Sequence, residues 1–175
     1  MPKIIFVAGV HGVGKSTLCR KLSEKFGWPH YSCSDLIKEN SDYVENSKLV
    51  STADKNQQAL LMGLSKLTEE VVLLDGHFCL LDNDQQVIEL PFEVFDAILP
   101  SAILLATCDE ETIHQRLKLR GGHVLERGKI AELQQHEVER SKRYSDSASC
   151  RLLEYRSPEP VEVLGQLSAF EVLQV

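Results

Sequence analysis

The sequence predicts an α/β fold in which parallel strands lie buried between helices, and three observations predict it. The apolar run Ile4-Ile5-Phe6-Val7-Ala8 leads into a glycine-rich loop and then a helical pattern, the strand, loop and helix order of an α/β unit. The runs Val71-Val72-Leu73-Leu74 and Ala102-Ile103-Leu104-Leu105-Ala106 are short and continuously apolar, as strands covered on both faces are. A length of 175 residues suffices for one such domain with a real core, and not for two.

The opening loop, Gly9-Val10-His11-Gly12-Val13-Gly14-Lys15-Ser16-Thr17, fits the spacing G-x-x-x-x-G-K-[ST]. Glycines at these places let consecutive backbone N–H groups close around phosphate oxygens, and the helix that follows turns its positive end to the anion. That helix is marked by Leu18, Leu22 and Phe26, with Gly27 as a left-handed stop. The reading is a phosphate cradle made by Gly9, His11, Gly12, Val13, Gly14, Lys15, Ser16 and Thr17.

Trp28-Pro29 breaks the first helix, and residues 30–33 read as a second strand ending at Ser34-Asp35. Ligands sit at the carboxyl ends of parallel strands, so Ser34 and Asp35 are candidate substrate contacts; capping the turn at residues 36–39 is the structural alternative. Residues 39–53 are polar and weakly patterned, as a surface segment would be, and a helix resumes near Asp54 with Leu60, Leu61, Leu64 and Leu67 on its buried side. The third strand, residues 71–74, delivers Asp75-Gly76-His77. Asp75 is placed to hold a magnesium-bound water, while His77 either touches substrate or satisfies a backbone carbonyl.

Residues 78–81 and 87–90 flank the turn-rich 82–86, which predicts a β-hairpin insertion. A short helix at 91–99 and a fourth strand at 102–106 follow, and Asp109 caps a helix with Glu110 and Glu111 in its first turn. On that helix Arg116 and Arg120 are four apart and share a face. Arg127 lies in the glycine-bracketed stretch 121–128, a pattern suited to a moving flap, and the three arginines together could address one phosphate. A polar helix at 129–145, with Arg140 and Arg143 read as surface, a fifth strand at 152–155 and a last helix at 159–170 complete the chain.

A net charge of −7 leaves no broad basic field for a nucleic-acid backbone or an anionic membrane. The five cysteines form no C-x-x-C pair and suit a reducing cytosol; with the six histidines they show no zinc-ligand spacing. Neither a signal-like segment nor a run approaching a membrane span is present, so the expectation is a soluble cytoplasmic protein. An N-K-x-D guanine reader after strand four and a D-x-x-G after strand three are both missing, which argues against a GTPase.

With strand, phosphate loop, helix, a segment after strand two, an acidic end to strand three and paired arginines after strand four, the chain resembles the nucleoside monophosphate kinases. It looks most like the small archaeal-type adenylate kinases and their bacterial P-loop relatives. The resemblance implies the three-layer α/β/α fold of P-loop NTPases, with a five-stranded parallel sheet in order 2-3-1-4-5 across a single domain. It also implies an acceptor-binding segment within 34–67 and a lid at 121–128. It makes ATP and Mg²⁺ the expected cofactors. Carried over, Lys15 bridges the β- and γ-phosphates, Ser16 ligates Mg²⁺, Asp75 serves the magnesium centre, and Arg116, Arg120 and Arg127 supply lid charges. Two features depart from the pattern: the stretch 78–90 replaces a short acceptor-binding loop, and 34–67 contains no arginine to grip an acceptor phosphate, leaving Lys38, Lys48, Lys55 or Lys66. The expected function is transfer of a phosphoryl group from ATP to a nucleoside monophosphate. The alternatives are a kinase of a small-metabolite hydroxyl with Asp35 as base, and an ATPase switch or assembly factor acting through a protein partner. An oligomer is possible in either case.

Overall fold

The computed structural model describes residues 1–43 and 51–159. The chain opens with strand β1 (Lys3–Ala8), whose side chains from Ile4 onward are buried on both faces. Helix α1 (Lys15–Phe26) follows the glycine-rich loop, buries Leu18, Cys19 and Leu22, and stops at Gly27, whose φ of 72° accommodates the left-handed turn. Strand β2 (His30–Ser32) is shorter than residues 30–33, because Cys33 already begins helix α2 (Cys33–Asn40). Ser34 and Asp35 therefore lie in the first turn of a two-turn helix rather than on a strand end. A 3₁₀ turn at Ser41–Tyr43 follows, and residues 44–50 of the expected polar segment lie outside the described residues.

Helix α3 (Thr52–Ser65) starts two residues before Asp54, since the Ser51 hydroxyl caps it by accepting from the Asp54 N–H at 3.1 Å. It buries Leu60 and Leu64 fully, while Leu61 and Leu67 are half-buried. Strand β3 (Val71–Gly76) carries through Asp75, and strands β4 (Cys79–Leu81) and β5 (Val87–Glu89) form the expected hairpin as a separate two-stranded sheet. Helix α4 (Phe92–Ile98) leads to β6 (Pro100–Thr107), α5 (Glu110–Arg120), α6 (Arg127–Ala148) and β7 (Arg151–Arg156). The expected helix at 159–170 falls almost wholly outside the described residues. Among the described residues no helix is long and apolar enough to cross a membrane.

The main sheet is wholly parallel in the order β2-β3-β1-β6-β7. With the two hairpin strands set aside, that is the expected 2-3-1-4-5. The order puts β1 and β3 side by side, with Ala8 opposite Gly76. The glycine-rich loop and Asp75 thus leave the same edge of the sheet, beside the first turn of α2, which follows β2 directly.

Helix α6 is not the surface helix its composition suggests. Ile130, Leu133, Glu137, Ser141 and Tyr144 recur at helical spacing along its buried face. It starts at Arg127 and so takes in the end of the 121–128 stretch. Arg140 packs its guanidinium 3.8 Å from the Phe92 ring centre, donates to the Leu90 carbonyl at 2.8 Å and pairs with Glu89 at 3.2 Å. Arg143 pairs with Glu89 from the other side at 2.8 Å. These two arginines, read from sequence as surface, fasten the foot of the hairpin, because the chain folds β5 back over α6.

Glu137 is 1% exposed. Its carboxylate accepts from the Gly9 N–H at 3.1 Å, the Phe78 N–H at 2.9 Å and the Cys79 N–H at 2.7 Å. Burial pushes its pKa up to about 7, against the opposing pull of those N–H donors and of Lys15. A carboxyl whose folded pKa exceeds its unfolded 4.5 contributes stability below pH 4.5 that is lost as pH rises to about 7.

Two outcomes follow for this scaffold. Phe95, stacked on Phe78 at 4.1 Å between ring centres and fully buried, holds the root of the hairpin to the core; Phe95→Ala should cost about 3–5 kcal/mol in urea unfolding. Between pH 4.5 and 8 the parent should lose about 3 kcal/mol relative to Glu137→Gln. Parallel stability profiles for the two proteins would show that Glu137 does not titrate in this range.

Candidate functional site

The loop after β1 passes so close to β6 that a Cβ on Gly9 would lie 2.7 Å from the Ala106 carbonyl oxygen. Gly14, at φ 102°, turns the chain into α1. The first-turn N–H groups of that helix have no carbonyl four residues back, and Lys15, Ser16 and Thr17 line a cavity of about 420 Å³. Several loop carbonyls, in contrast, are taken by cations. The Lys15 ammonium, 8% exposed, donates to Gly9 O at 2.6 Å and Val10 O at 3.1 Å. Arg116 donates to Gly12 O at 3.2 Å, Val13 O at 3.1 Å and the Ser157 hydroxyl at 3.3 Å. Carbonyls held by cations and amides left open make a lining for an anion.

The same cavity is lined by His11, Gly12, Gly14, Ser34, Asp35, Asp75, His77 and Arg120. Gly9 and Val13 contribute to the loop from beneath; Val13 is fully buried. Arg116 grips the outside of the loop rather than facing the cavity. Arg127 lies apart from it, exposed and paired with Glu111 at 2.5 Å. Its separation has a simple cause: as the first residue of α6 it faces the start of α5, where Glu111 attracts it.

The rings of His11 and His77 meet with centres 4.5 Å apart. Burial and the Lys15 charge push His77 down to about 3, and burial and then Lys15 also lower His11, so both rings are neutral near pH 7. Burial lowers the Lys15 pKa as well, with Asp75 and Glu137 opposing it. An anion in the cavity would offset that penalty directly.

Asp75 is hydrogen-bonded to the ring of His30. The Ser16 hydroxyl and the Asp75 carboxylate are hard oxygen donors on one cavity, next to the buried Lys15. That donor set fits a triphosphate tail with Mg²⁺.

A second cavity of about 370 Å³ adjoins the first and shares Cys33, His77 and Leu80 with it. Its wall is mostly apolar, with Phe6, Ile37, Leu60, Val94, Phe95 and Ile98, and Asp54, Asn56 and Gln57 on α3 supply its polar edge.

His30 and Glu137 were not singled out from sequence. His30 stands at the start of a three-residue strand and meets Asp75 only through β2–β3 pairing, for which the sequence has no local signal. Glu137 had one: it falls on the stripe drawn by Ile130, Leu133 and Tyr144, where a charged residue is out of place.

The AAA domain family model matches residues 8–135. Human adenylate kinase isoenzyme 1 is 30% identical over 125 residues, covering 68% of this chain and 64% of the relative. UMP-CMP kinase 3 of Arabidopsis thaliana is 28% identical over 127 residues, covering 66% and 60%. The chain thus spans somewhat under two thirds of the length of these curated relatives. Among solved structures, TT1252 from Thermus thermophilus superposes with a TM-score of 0.54 at 18% identity, covering 99% of this chain and 98% of that one. A sugar kinase from a Janibacter species superposes at 0.55 and 15% identity, covering 97% and 94%. These two show a shared fold. From the matched span, which runs from the end of β1 into α6, and from the phosphate loop within it, the chain belongs to the AAA domain family of P-loop proteins, with nucleoside monophosphate kinases among its relatives.

Proposed function

We propose that this protein is an ATP-dependent phosphotransferase of the nucleoside monophosphate kinase type. The observation that carries the reading is the pair of adjoining cavities, one polar and built on the phosphate loop, the other largely apolar and sized for an acceptor, meeting at His77 and Leu80. The curated relatives named above, adenylate and UMP-CMP kinases, support it.

In this reading the amides from Gly12 to Thr17 hold the triphosphate tail. The Lys15 ammonium exchanges its loop carbonyls for phosphate oxygens, which relieves the cost of its burial. Ser16 and Asp75 would hold Mg²⁺, which supplies charge neutralisation when bound. Arg120, at the last turn of α5, reaches the open side of the cavity and adds positive charge there. Neutral His11 and His77 can orient oxygens by hydrogen bonding without adding charge. The acceptor's body lies against Ile37, Leu60 and Val94, and its reacting oxygen points toward Ser34 and Asp35. When that oxygen belongs to a phosphate, no general base is needed, and catalysis is positioning and electrostatics. Arg127 could join only if the 121–128 segment moved and its ion pair with Glu111 opened.

One observation favours the kinase of a small-metabolite hydroxyl as a second reading. Among the described residues lining the apolar cavity there is no lysine or arginine, whereas Asp35 stands on the phosphate cavity as a possible base.

Mg-ATP offered with a panel of nucleoside monophosphates should yield a diphosphate product, and Lys15→Ala should lower kcat by about 10²–10³. Slow ATP hydrolysis indifferent to every acceptor would defeat the phosphotransferase reading. Asp35→Asn separates the two acceptor classes: a monophosphate kinase should change chiefly in KM, while a hydroxyl kinase should lose about 10²–10⁴ in kcat.

A further inference from the structure

Beside the phosphate cavity three side chains of different chemistry come together from three elements. The Cys19 thiol projects from α1, one helical turn beyond Lys15; His30 comes from β2; Asp75 comes from β3. One sulfur, one ring nitrogen and one carboxylate oxygen all lie within 4.8 Å of one another. Cys19 is fully buried, while His30 and Asp75 face the cavity. We infer that this triad is a binding site for a soft or borderline divalent cation of the Zn²⁺ type, sharing only Asp75 with the Mg²⁺ position that the kinase reading assigns to Ser16 and Asp75.

The donor set decides the metal. Mg²⁺ takes oxygen and keeps its water shell, so a thiol and an imidazole offer it little. Zn²⁺ binds thiolate, imidazole and carboxylate together, and tetrahedral bonds of about 2.0–2.3 Å hold its ligand atoms about 3.5 Å apart. The donor atoms, already within 4.8 Å of one another, lie near that spacing. His30 and Asp75, now hydrogen-bonded, separate slightly, and Cys19 swings toward them. On binding, the Cys19 thiol releases its proton to solvent, the ring proton in the Asp75–His30 hydrogen bond passes by way of solvent to the other ring nitrogen, and the cation takes its place between the two side chains. Three protein ligands leave a fourth position open toward the cavity, for water or a phosphate oxygen. The ligand numbers 19, 30 and 75 follow no zinc-binding spacing because the sheet, not the local chain, assembles them.

A consequence rests on the proposed function: Asp75 cannot serve both ions at once, so a Zn²⁺-type ion should inhibit phosphotransfer by withdrawing Asp75.

The test is a Co²⁺ titration of chelator-treated full-length protein without nucleotide. The parent should take up one Co²⁺, with the intense visible bands of a tetrahedral site and a thiolate charge-transfer band in the near ultraviolet, and Zn²⁺ should displace it. Cys19→Ser, with Cys19→Ala as a second variant whose folding is checked by its thermal transition, should lose the charge-transfer band. Cys33→Ser should keep it. Absence of the band in the parent, its survival in both Cys19 variants, or its loss in Cys33→Ser would overturn the site. In the phosphotransfer assay under excess Mg-ATP, the Zn²⁺ concentration giving half inhibition should rise at least tenfold in Cys19→Ser, and equal inhibition of both proteins would overturn the competition. A Cys19-dependent band in a protein that transfers no phosphate would uphold the metal site and remove the kinase reading.

Discussion

Glu137 gathers three backbone N–H groups onto one buried carboxylate, and the arrangement of the working edge depends on it. One donor, Gly9, opens the phosphate loop; the other two, Phe78 and Cys79, begin the hairpin. Each N–H left unpaired in a buried place costs about 1–3 kcal/mol, and a carboxylate without donors costs more. The loop and the hairpin root are therefore fixed to one another through α6, and neither end can shift alone without stranding a polar group. Lys15 stands near the same carboxylate and offsets part of its charge. A burial that would be costly for either ion alone becomes tolerable for the two.

From that anchor the electrostatics of the cavity follow. The loop's carbonyls point to Lys15 and Arg116, so what it presents to the cavity is mainly amide. The two histidines beside it are kept neutral by burial and by Lys15, which prevents a cluster of like charges from forming before a ligand arrives. Asp75 is held by His30. The result is a buried cation whose burial Asp75 and Glu137 offset only in part, and an anionic ligand relieves the remainder where a neutral one does not.

How much of this was legible in the sequence depended on range. The phosphate loop, the buried strands, the Gly27 stop, the Asp109 cap and the hairpin rest on contacts within a few residues, and each left a local signal. The parallel order was accessible only through resemblance, because a parallel pair is separated by a whole crossover. The ends of β2 and of the 121–128 stretch were misplaced by one or two residues, where a helix begins without a capping side chain: Ser32 and Glu126 make no cap hydrogen bond. The largest miss was α6, whose many charges suggested a solvated surface. Arg140 and Glu137 are polar residues given buried work by partners fifty or more positions away, and composition cannot foresee that.

The hairpin carries the last step. His77 and Leu80 line the phosphate cavity, the apolar cavity beside it, and a third pocket of about 250 Å³ between the hairpin and α6. The phosphate loop can fix where a phosphoryl group sits, but its amides say nothing about what receives it. In the proposed function that discrimination falls to walls of differing chemistry, here apolar side chains from α2, α3 and α4 and one face of the hairpin. Since Glu137 ties the root of that wall to Gly9, a ligand that reshaped the loop would strain the wall of the apolar cavity through three hydrogen bonds, and the reverse holds equally. On the proposed function, the element with no phosphate-binding signature is therefore the one that joins the choice of acceptor to the state of the loop.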